Sequence, residues 1–245
     1  MAKPPKTTEF KQQPLPDARF ERCDLARARF VACGLAQVSL TRCIGHGISV
    51  TDSELSKLTA DDLNLDDARL NDVSAQRLQL TDANLSGARL SDVNLDQLKL
   101  SDASLKQLAL DDVDLASFKL NNAALRASEL SDIDATGMQL TDADLTGVRL
   151  TDINLSRAEL KDIEAPGLSL QDGTLKAGRL DNVDLSGVSL TNCAAVEAQI
   201  TEVDFERAKL SNVSLKHVTI EDADITGLTI NGVRIDELLG PQAKR

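Results

Sequence analysis

Apolar or small residues recur at every fifth position of this chain, from Phe10 to Ile235, without a change of register. Thirty of those 46 positions are Leu. A spacing of five fits neither regular element, because it places successive side chains ~140° apart around an α-helix and on opposite faces of a flat strand. A chain that bends once every five residues can send all these side chains inward. The pattern therefore predicts a solenoid.

A small or apolar residue precedes nearly all of these positions by two, as Ala83 precedes Leu85 and Ala143 precedes Leu145. The other three positions of each pentad are polar, charged or Gly almost throughout. Each pentad thus supplies one large and one small residue to the interior. The central part of the predicted core consists of leucines at nine successive fifth positions: Leu80, Leu85, Leu90, Leu95, Leu100, Leu105, Leu110, Leu115 and Leu120.

Units such as Ala83-Asn84-Leu85-Ser86-Gly87 resemble the pentapeptide-repeat family, whose units read A-[DN]-L-x-x. The match covers roughly residues 18 to 235. The resemblance implies an all-β fold, a right-handed quadrilateral β-helix with four pentads per coil. About eleven coils would then stack at the ~4.8 Å strand spacing into a rod roughly 55 Å long.

Both ends of the chain depart from the repeat. Residues 1–17 contain Pro4, Pro5, Pro14 and Pro16 and read as a flexible or extended leader,. The β-helix itself is expected over 18–235. Residues 236–245 would then form either a cap over the last coil or a dimer contact, and in both cases Leu238 and Leu239 are the residues expected to build it,.

Turn chemistry accounts for the acidic residues of the repeat. A bend every five residues needs a turn with φ > 0 at one residue, which Gly, Asn and Asp tolerate best. From about 77 to 160 a ten-residue pattern, L-[ST]-D-[AVI]-x-L-x-x-x-x, places Asp on two opposite corners. Stacked Asp residues repel one another, and we expect basic residues three positions earlier to offset this: Arg89 before Asp92, Lys99 before Asp102 and Arg149 before Asp152.

The pattern weakens at three places, which are 44–47, 165–178 and 193–196. At position 45 the large core residue is replaced by Gly, and at position 195 it is replaced by Ala. After Pro166, the inward positions 173 and 178 are both Gly. A thinner core there could mark a kink, a bulge or a partner groove. Ordinary drift in a tolerant repeat is the preferred explanation.

Composition adds little chemistry. All four cysteines (Cys23, Cys33, Cys43 and Cys193) fall at the smaller inward position, which favours core filling,, although a Cys23–Cys43 disulfide is sterically conceivable. The two histidines, His46 and His217, fall at outward positions, so no metal site is expected,. No catalytic, dinucleotide or phosphate-loop motif occurs. We therefore expect neither an enzyme nor a cofactor.

With catalysis not expected, the hypotheses that remain concern binding. The first is that the protein is a rigid interaction module or scaffold for an unknown protein partner. The alternative is DNA mimicry, because the resemblance implies acidic dimeric rods that bind DNA gyrase and protect it from inhibitors. Mimicry requires a continuous negative stripe with little basic interruption. Export as an effector without a classical signal is a third possibility.

The charge and hydropathy of the chain limit its partners. The net charge of −12 argues against direct nucleic-acid binding,, and the absence of Trp and Tyr removes platforms for base stacking,. No apolar run approaches the length of a membrane span,, and the first residues lack the apolar stretch of a secretory signal. We expect a cytoplasmic protein.

Overall fold

The computed structural model describes residues 8–239 and is almost entirely β-structure. The first strands in chain order are β1 Glu9–Lys11, β2 Arg19–Glu21, β3 Arg29–Val31, β4 Ser39–Ile44, β5 Ser49–Glu54, β6 Thr59–Asn64, β7 Arg69–Ser74, β8 Gln79–Asn84, β9 Arg89–Asn94, β10 Lys99–Ser104, β11 Ala109–Asp114 and β12 Lys119–Ala124. They are followed by β13 Glu129–Asp134, β14 Gln139–Asp144, β15 Arg149–Asn154, β16 Glu159–Glu164, β17 Ser169–Gln171, β18 Arg179–Asp184, β19 Ser189–Thr191, β20 Gln199–Asp204, β21 Lys209–Ser211, β22 Thr219–Glu221, β23 Thr229–Ile230, β24 Val233–Arg234 and the helix α1 Ile235–Leu239.

Each strand pairs in parallel with the strand two places further along the chain, and the partners are 20 residues apart. Leu100, for example, lies beside Leu80 on one side and Leu120 on the other. Odd-numbered strands form one sheet and even-numbered strands form the second, with β24 added antiparallel to β23. Twenty residues therefore make one coil, and about eleven coils stack into a β-solenoid. The predicted fold class is confirmed.

The corners of the solenoid lie where φ is positive, at every fifth residue from Gln12 to Gly227. Four such residues occur in each 20-residue coil, which gives the coil four sides. At numbers ending in seven a backbone hydrogen bond closes the turn, as from Ala88 N to Leu85 O at 3.1 Å. At numbers ending in two the six-residue strands continue through the corner, as β10 does at Asp102 (φ 53°), whereas the three-residue strands end just before it. The predicted role of the Asp series as positive-φ corner residues is confirmed.

Asp or Asn before the large core residue caps the turn that follows. Oδ1 of Asn84 accepts a hydrogen bond from Ser86 N at 3.1 Å, and Oδ1 of Asp114 accepts one from Ala116 N at 2.9 Å. The side chain thus satisfies a backbone donor that the corner leaves without a ladder partner. This contact explains why the repeat carries Asp or Asn at that position.

The interior is formed by columns of apolar side chains that run along the rod. The nine leucines from Leu80 to Leu120 are all buried. The few polar residues of the core have partners: Ser128, which is fully buried, accepts from Leu108 N at 3.1 Å and donates to Leu105 O at 2.8 Å. All four cysteines are free, and burial raises the pKa of the Cys193 thiol.

Neighbouring leucines fill the weakened repeats. A Cβ on Gly178 would lie 2.5 Å from Leu175 Cδ1, and a Cβ on Gly173 would lie 2.7 Å from Leu170 Cδ1. At Gly45 the corresponding contact is with Leu65 Cδ2 at 2.8 Å. The small residues at these sites thus make room for a Leu side chain, and the register continues through all three.

The two ends differ from the sequence-based boundaries. Of the leader expected over 1–17, residues 1–7 lie outside the described residues, while β1 already pairs with β3 and Pro14 bridges Gly34. The solenoid thus begins before residue 18. Residues 240–245 of the expected cap likewise lie outside the described residues. Within 8–239, no helix has the length and apolar content to cross a bilayer.

Candidate interaction surfaces

One corner of the rod carries Asp in seven consecutive coils. We call this column the acidic edge: Asp52, Asp72, Asp92, Asp112, Asp132, Asp152 and Asp172. Each of these residues has positive φ and an exposed side chain. Strand pairing stacks them directly, since β5 pairs with β7, β7 with β9, and so on to β17.

The side of the rod that follows the acidic edge adds further carboxylates: Glu54, Asp96, Asp114 and Asp134. Its outward positions between Asp52 and Thr174 include no Lys or Arg, and the first basic residue is Lys176. Within residues 8–239, no ion pair reaches any residue of the acidic edge. The molecule therefore has a continuous negative stripe, bounded by basic residues on the adjoining sides.

The opposite corner is acidic too, but it is interrupted. Asn122 donates a hydrogen bond from Nδ2 to Asp102 Oδ1 at 2.5 Å, and Asn182 does the same to Asp162 Oδ1 at 2.7 Å. The two Asn residues separate the carboxylates and neutralise part of their repulsion. An identical turn geometry thus supports two different electrostatic surfaces.

Half of the ion pairs among residues 8–239 join successive coils. Arg149 Nη1 lies 2.9 Å from Glu129 Oε1, and Arg29 Nη1 lies 3.9 Å from Glu9 Oε1, both 20 residues away. The expected pairing of Arg149 with Asp152 is wrong, and Arg89 and Lys99 likewise have no carboxylate within 4.0 Å among residues 8–239. A residue in the next coil is only ~4.8 Å away along the rod, whereas the residue three positions on is the corner residue itself, ~10 Å along the strand.

Asp144 is the most enclosed acidic residue of the ion pairs. Burial by itself raises the pKa of Asp144. Hydrogen bonds from the Thr146 side chain and backbone, together with the Arg126 guanidinium, lower the pKa by a larger amount, so the net shift is downward. The neighbouring acidic side chains on this side are Asp142, Asp162 and Glu164. These acidic residues line a shallow surface depression. Arg126 and Lys106 partly neutralise its negative charge, whereas the charge of the acidic edge has no such partners.

The C-terminal end carries most of the exposed large apolar residues in the described chain. Leu238 is 73% exposed and Leu239 is 58% exposed, and Val233 and Ile220 lie nearby in sequence. Asp236 holds this end together, because it accepts hydrogen bonds from the Arg234 guanidinium and from Gly227 N at 2.9 Å. These contacts hold the pKa of Asp236 well below its usual range, and the hydrogen bond from Arg234 makes the largest contribution.

A cluster of possible metal ligands lies where sequence analysis expected none. His46 Nδ1 is 2.9 Å from Asp66 Oδ2, and ligand atoms of His46, Asp66 and Asp67 all lie within 4.8 Å of one another. His46 is outward-facing as expected, but its partner is 20 residues away and hence stacked on it. Among residues 8–239 no other group of three such ligands occurs. Comparing residues one coil apart would have found the pair.

The comparisons with known proteins agree with this architecture. The model for pentapeptide repeats matches residues 79–116 and 119–161, in eight copies. Over these residues the chain is a pentapeptide-repeat protein. Solenoids of this family generally have structural or interaction-mediating roles.

Solved structures of the same class are distant in sequence. HetL, a pentapeptide repeat protein involved in heterocyst differentiation regulation from the cyanobacterium Nostoc sp. strain PCC 7120, is 22% identical with 92% of each chain covered and a TM-score of 0.43. Full-length QnrB1, a plasmid-mediated fluoroquinolone resistance protein, is 14% identical, with 96% of this chain and 97% of that chain covered and a TM-score of 0.27. No curated protein matches the sequence.

Proposed function

We propose that the protein is a non-enzymatic rigid scaffold that binds a protein partner through the acidic edge. The observation that carries the proposal is the unbroken Asp column from Asp52 to Asp172, on a side without Lys or Arg up to Thr174. Turn geometry requires positive φ at these corners but does not require Asp, because Gln12, Ala32 and Arg42 adopt the same conformation at corners whose numbers also end in two. The choice of Asp in seven consecutive coils therefore favours a surface role.

The partner that such a stripe fits has a surface rich in Lys and Arg. The carboxylates follow one another at ~4.8 Å, the strand spacing, and are uncompensated within the rod. Complementary charge would steer the encounter and make binding weaken as salt rises. We place this role in the cytoplasm, because thiols stay reduced there and the four cysteines are free and mostly buried,.

The decisive experiment compares two charge-removing variants that leave the turns intact. The first carries Asp92→Asn, Asp112→Asn and Asp132→Asn on the acidic edge, and the control carries Asp82→Asn, Asp102→Asn and Asp142→Asn on the opposite corner. Asn accepts positive φ, as Asn122 and Asn182 show. We expect a partner from the cell lysate to be retained by the wild type and the control and lost by the edge variant. Equal retention by both variants would rule out the acidic edge.

DNA mimicry directed at DNA gyrase is the second candidate, and the continuous negative stripe is the observation that favours it. The stripe places one charge per ~4.8 Å, against one per ~3.4 Å along a DNA strand. A mimic of useful length would be a homodimer, with Leu238 and Leu239 as its contact. The rod is not expected to bind DNA itself.

A gyrase supercoiling assay tests this candidate. Mimicry predicts inhibition at micromolar protein, lost in the edge variant and in a Leu238→Asp, Leu239→Asp variant that sediments as a monomer. Inhibition that persists in both variants, or no inhibition by the wild type, would eliminate mimicry and leave the scaffold role.

A further inference from the structure

We propose that His46, Asp66 and Asp67 form a binding site for one divalent first-row transition ion, with Zn²⁺ as the ion to test. Imidazole nitrogen and carboxylate oxygen are both ligands of Zn²⁺, at ~2.0–2.2 Å. Two ligands of one ion at that distance lie ~3–4 Å apart, close to the separation of at most 4.8 Å that the three side chains already have. The inference is independent of the proposed function.

The backbone holds these ligands in place. The amides on both sides of His46 donate to the next coil: Gly45 N to Asn64 O at 2.6 Å and Gly47 N to Asp66 O at 2.8 Å. Asp66 N is fixed in turn by Asn64 Oδ1 at 3.0 Å. Side-chain rotations alone would thus complete the site, since the two coils that carry it are already joined.

Two local features point to a cation. Asp66 Oδ1 is buried without a hydrogen-bond partner, which is costly for a carboxylate oxygen unless a positive charge accompanies it,. Within residues 8–239, no Lys or Arg lies within 4.0 Å of either carboxylate. The side chains are partly exposed, so an ion can enter and keep water as further ligands.

The position of the site indicates a structural role. Gly45 stands where most pentads carry a large core residue, and Leu65 of the next coil fills that space. An ion bound by His46 and by Asp66 would join two successive coils at this place. Binding to the folded state alone raises its stability in proportion to the excess of free ion.

The test uses the full chain without a polyhistidine tag, freed of metal with a chelator and titrated with Zn²⁺. His46 and His217 are the only histidines, so their imidazole resonances can be followed separately. We expect saturation at one equivalent, with the His46 signal shifting and the His217 signal unchanged. His46→Gln, Asp66→Asn and Asp67→Asn should each weaken binding by at least ~10-fold, as loss of even an indirect supporting contact does at metal sites.

His217→Gln and Asp62→Asn serve as matched controls and should bind Zn²⁺ like the wild type. The thermal midpoint should rise with Zn²⁺ in the wild type and the controls but not in His46→Gln, which changes a partly exposed, outward-facing side chain and is expected to fold. The proposal is overturned by non-saturable binding, by equal shifts of both histidines, or by wild-type affinity in His46→Gln. A thiolate charge-transfer band with Co²⁺ would instead assign binding to cysteine and overturn it as well.

Discussion

Leu120 and Ile220 occupy the same column of the solenoid, five coils apart, yet their surroundings differ sharply. Leu120 is 2% exposed, whereas Ile220 is 42% exposed. Both stand at a fifth position, and both lie in a strand of the even-numbered sheet. Leu120 has a stacked strand on each side, β10 and β14. Ile220 lies in β22, where that sheet ends.

The comparison shows that an inward position is buried only when a coil covers it from both sides. In a solenoid each repeat contacts its neighbours alone, so the last coil lacks half of its contacts. The odd-numbered sheet continues through β23 and β24 to the helix α1. The even-numbered sheet has no such continuation within residues 8–239. Although the repeat sequence is nearly uniform, the stabilisation that each residue contributes therefore differs between the middle and the end of the rod.

The largest effect is expected from placing a carboxylate in this column. Leu120→Asp should lower the free energy of unfolding by roughly 4–5 kcal/mol, because it buries an unpaired polar group among leucines. Ile220→Asp should cost only about 1 kcal/mol, since that side chain already meets water. Urea unfolding of both variants checks the pair, and equal losses would contradict the difference in burial.

Packing at the weakened repeats gives the next largest effect. Gly178→Ala should cost about 2–3 kcal/mol, because the new methyl group would overlap Leu175 and approach Ala158 O,. Gly137→Ala should cost about 1 kcal/mol, since that position is open and only its φ of 69° is strained,. Thermal unfolding distinguishes them. A smaller loss at Gly178 than at Gly137 would mean that the repeat is loosely packed there.

The C-terminal coil should be sensitive to acid. The pKa of Asp236 is lowered in the folded protein, so its contribution is present above the usual Asp pKa of ~3.9 and is lost as the pH falls further,. We expect the Gly227 amide resonance to titrate with a midpoint below that value, and the last coil to loosen at the lowest pH while the middle stays folded. Asp236→Asn should show looser packing of that end at neutral pH. An unshifted midpoint would show that the Arg234 contact is not maintained.

The smallest effect is expected at a corner of the middle coils. Asp112→Asn should change the free energy of unfolding by less than about 0.5 kcal/mol, because Asn also accepts positive φ and the side chain is exposed,. Chemical denaturation measures this directly. A clear gain in stability would show that repulsion along the acidic edge is a real cost, and a clear loss would assign Asp112 an unrecognised contact.

The fold could be predicted from the sequence because each coil repeats the same inward and outward pattern. The five-residue period specifies the corners, and the family resemblance supplied the four pentads per coil. Ile220 shows the limit, since periodicity describes which way a residue points but not whether another coil covers it. The glycines at 173 and 178 show a second limit, because the Leu that fills each space is three residues earlier in the same coil.

The surface could be predicted less well, since its contacts join residues one coil apart. Arg149 was expected to meet Asp152 but contacts Glu129. His46 was predicted only to face outward, and its contact with Asp66 was not foreseen. Both contacts follow from a spacing of 20, which linear motifs do not register. The acidic residues themselves were visible in the sequence, but their arrangement as one unbroken column required the coil length.

The four-cornered coil also determines what a small deletion would do. Removing ten residues from a loop-free stretch would leave the core columns and the strand ladders continuous, because strands recur every ten residues and every fifth residue still points inward. Every outward side chain beyond the deletion would, however, rotate by half a turn about the rod axis. The carboxylates of the acidic edge after the deletion would then continue on the opposite corner, and the surface would be cut in two while the interior remained intact. A deletion of this length would therefore change the position of a surface around the axis without removing the packing that stabilises the rod.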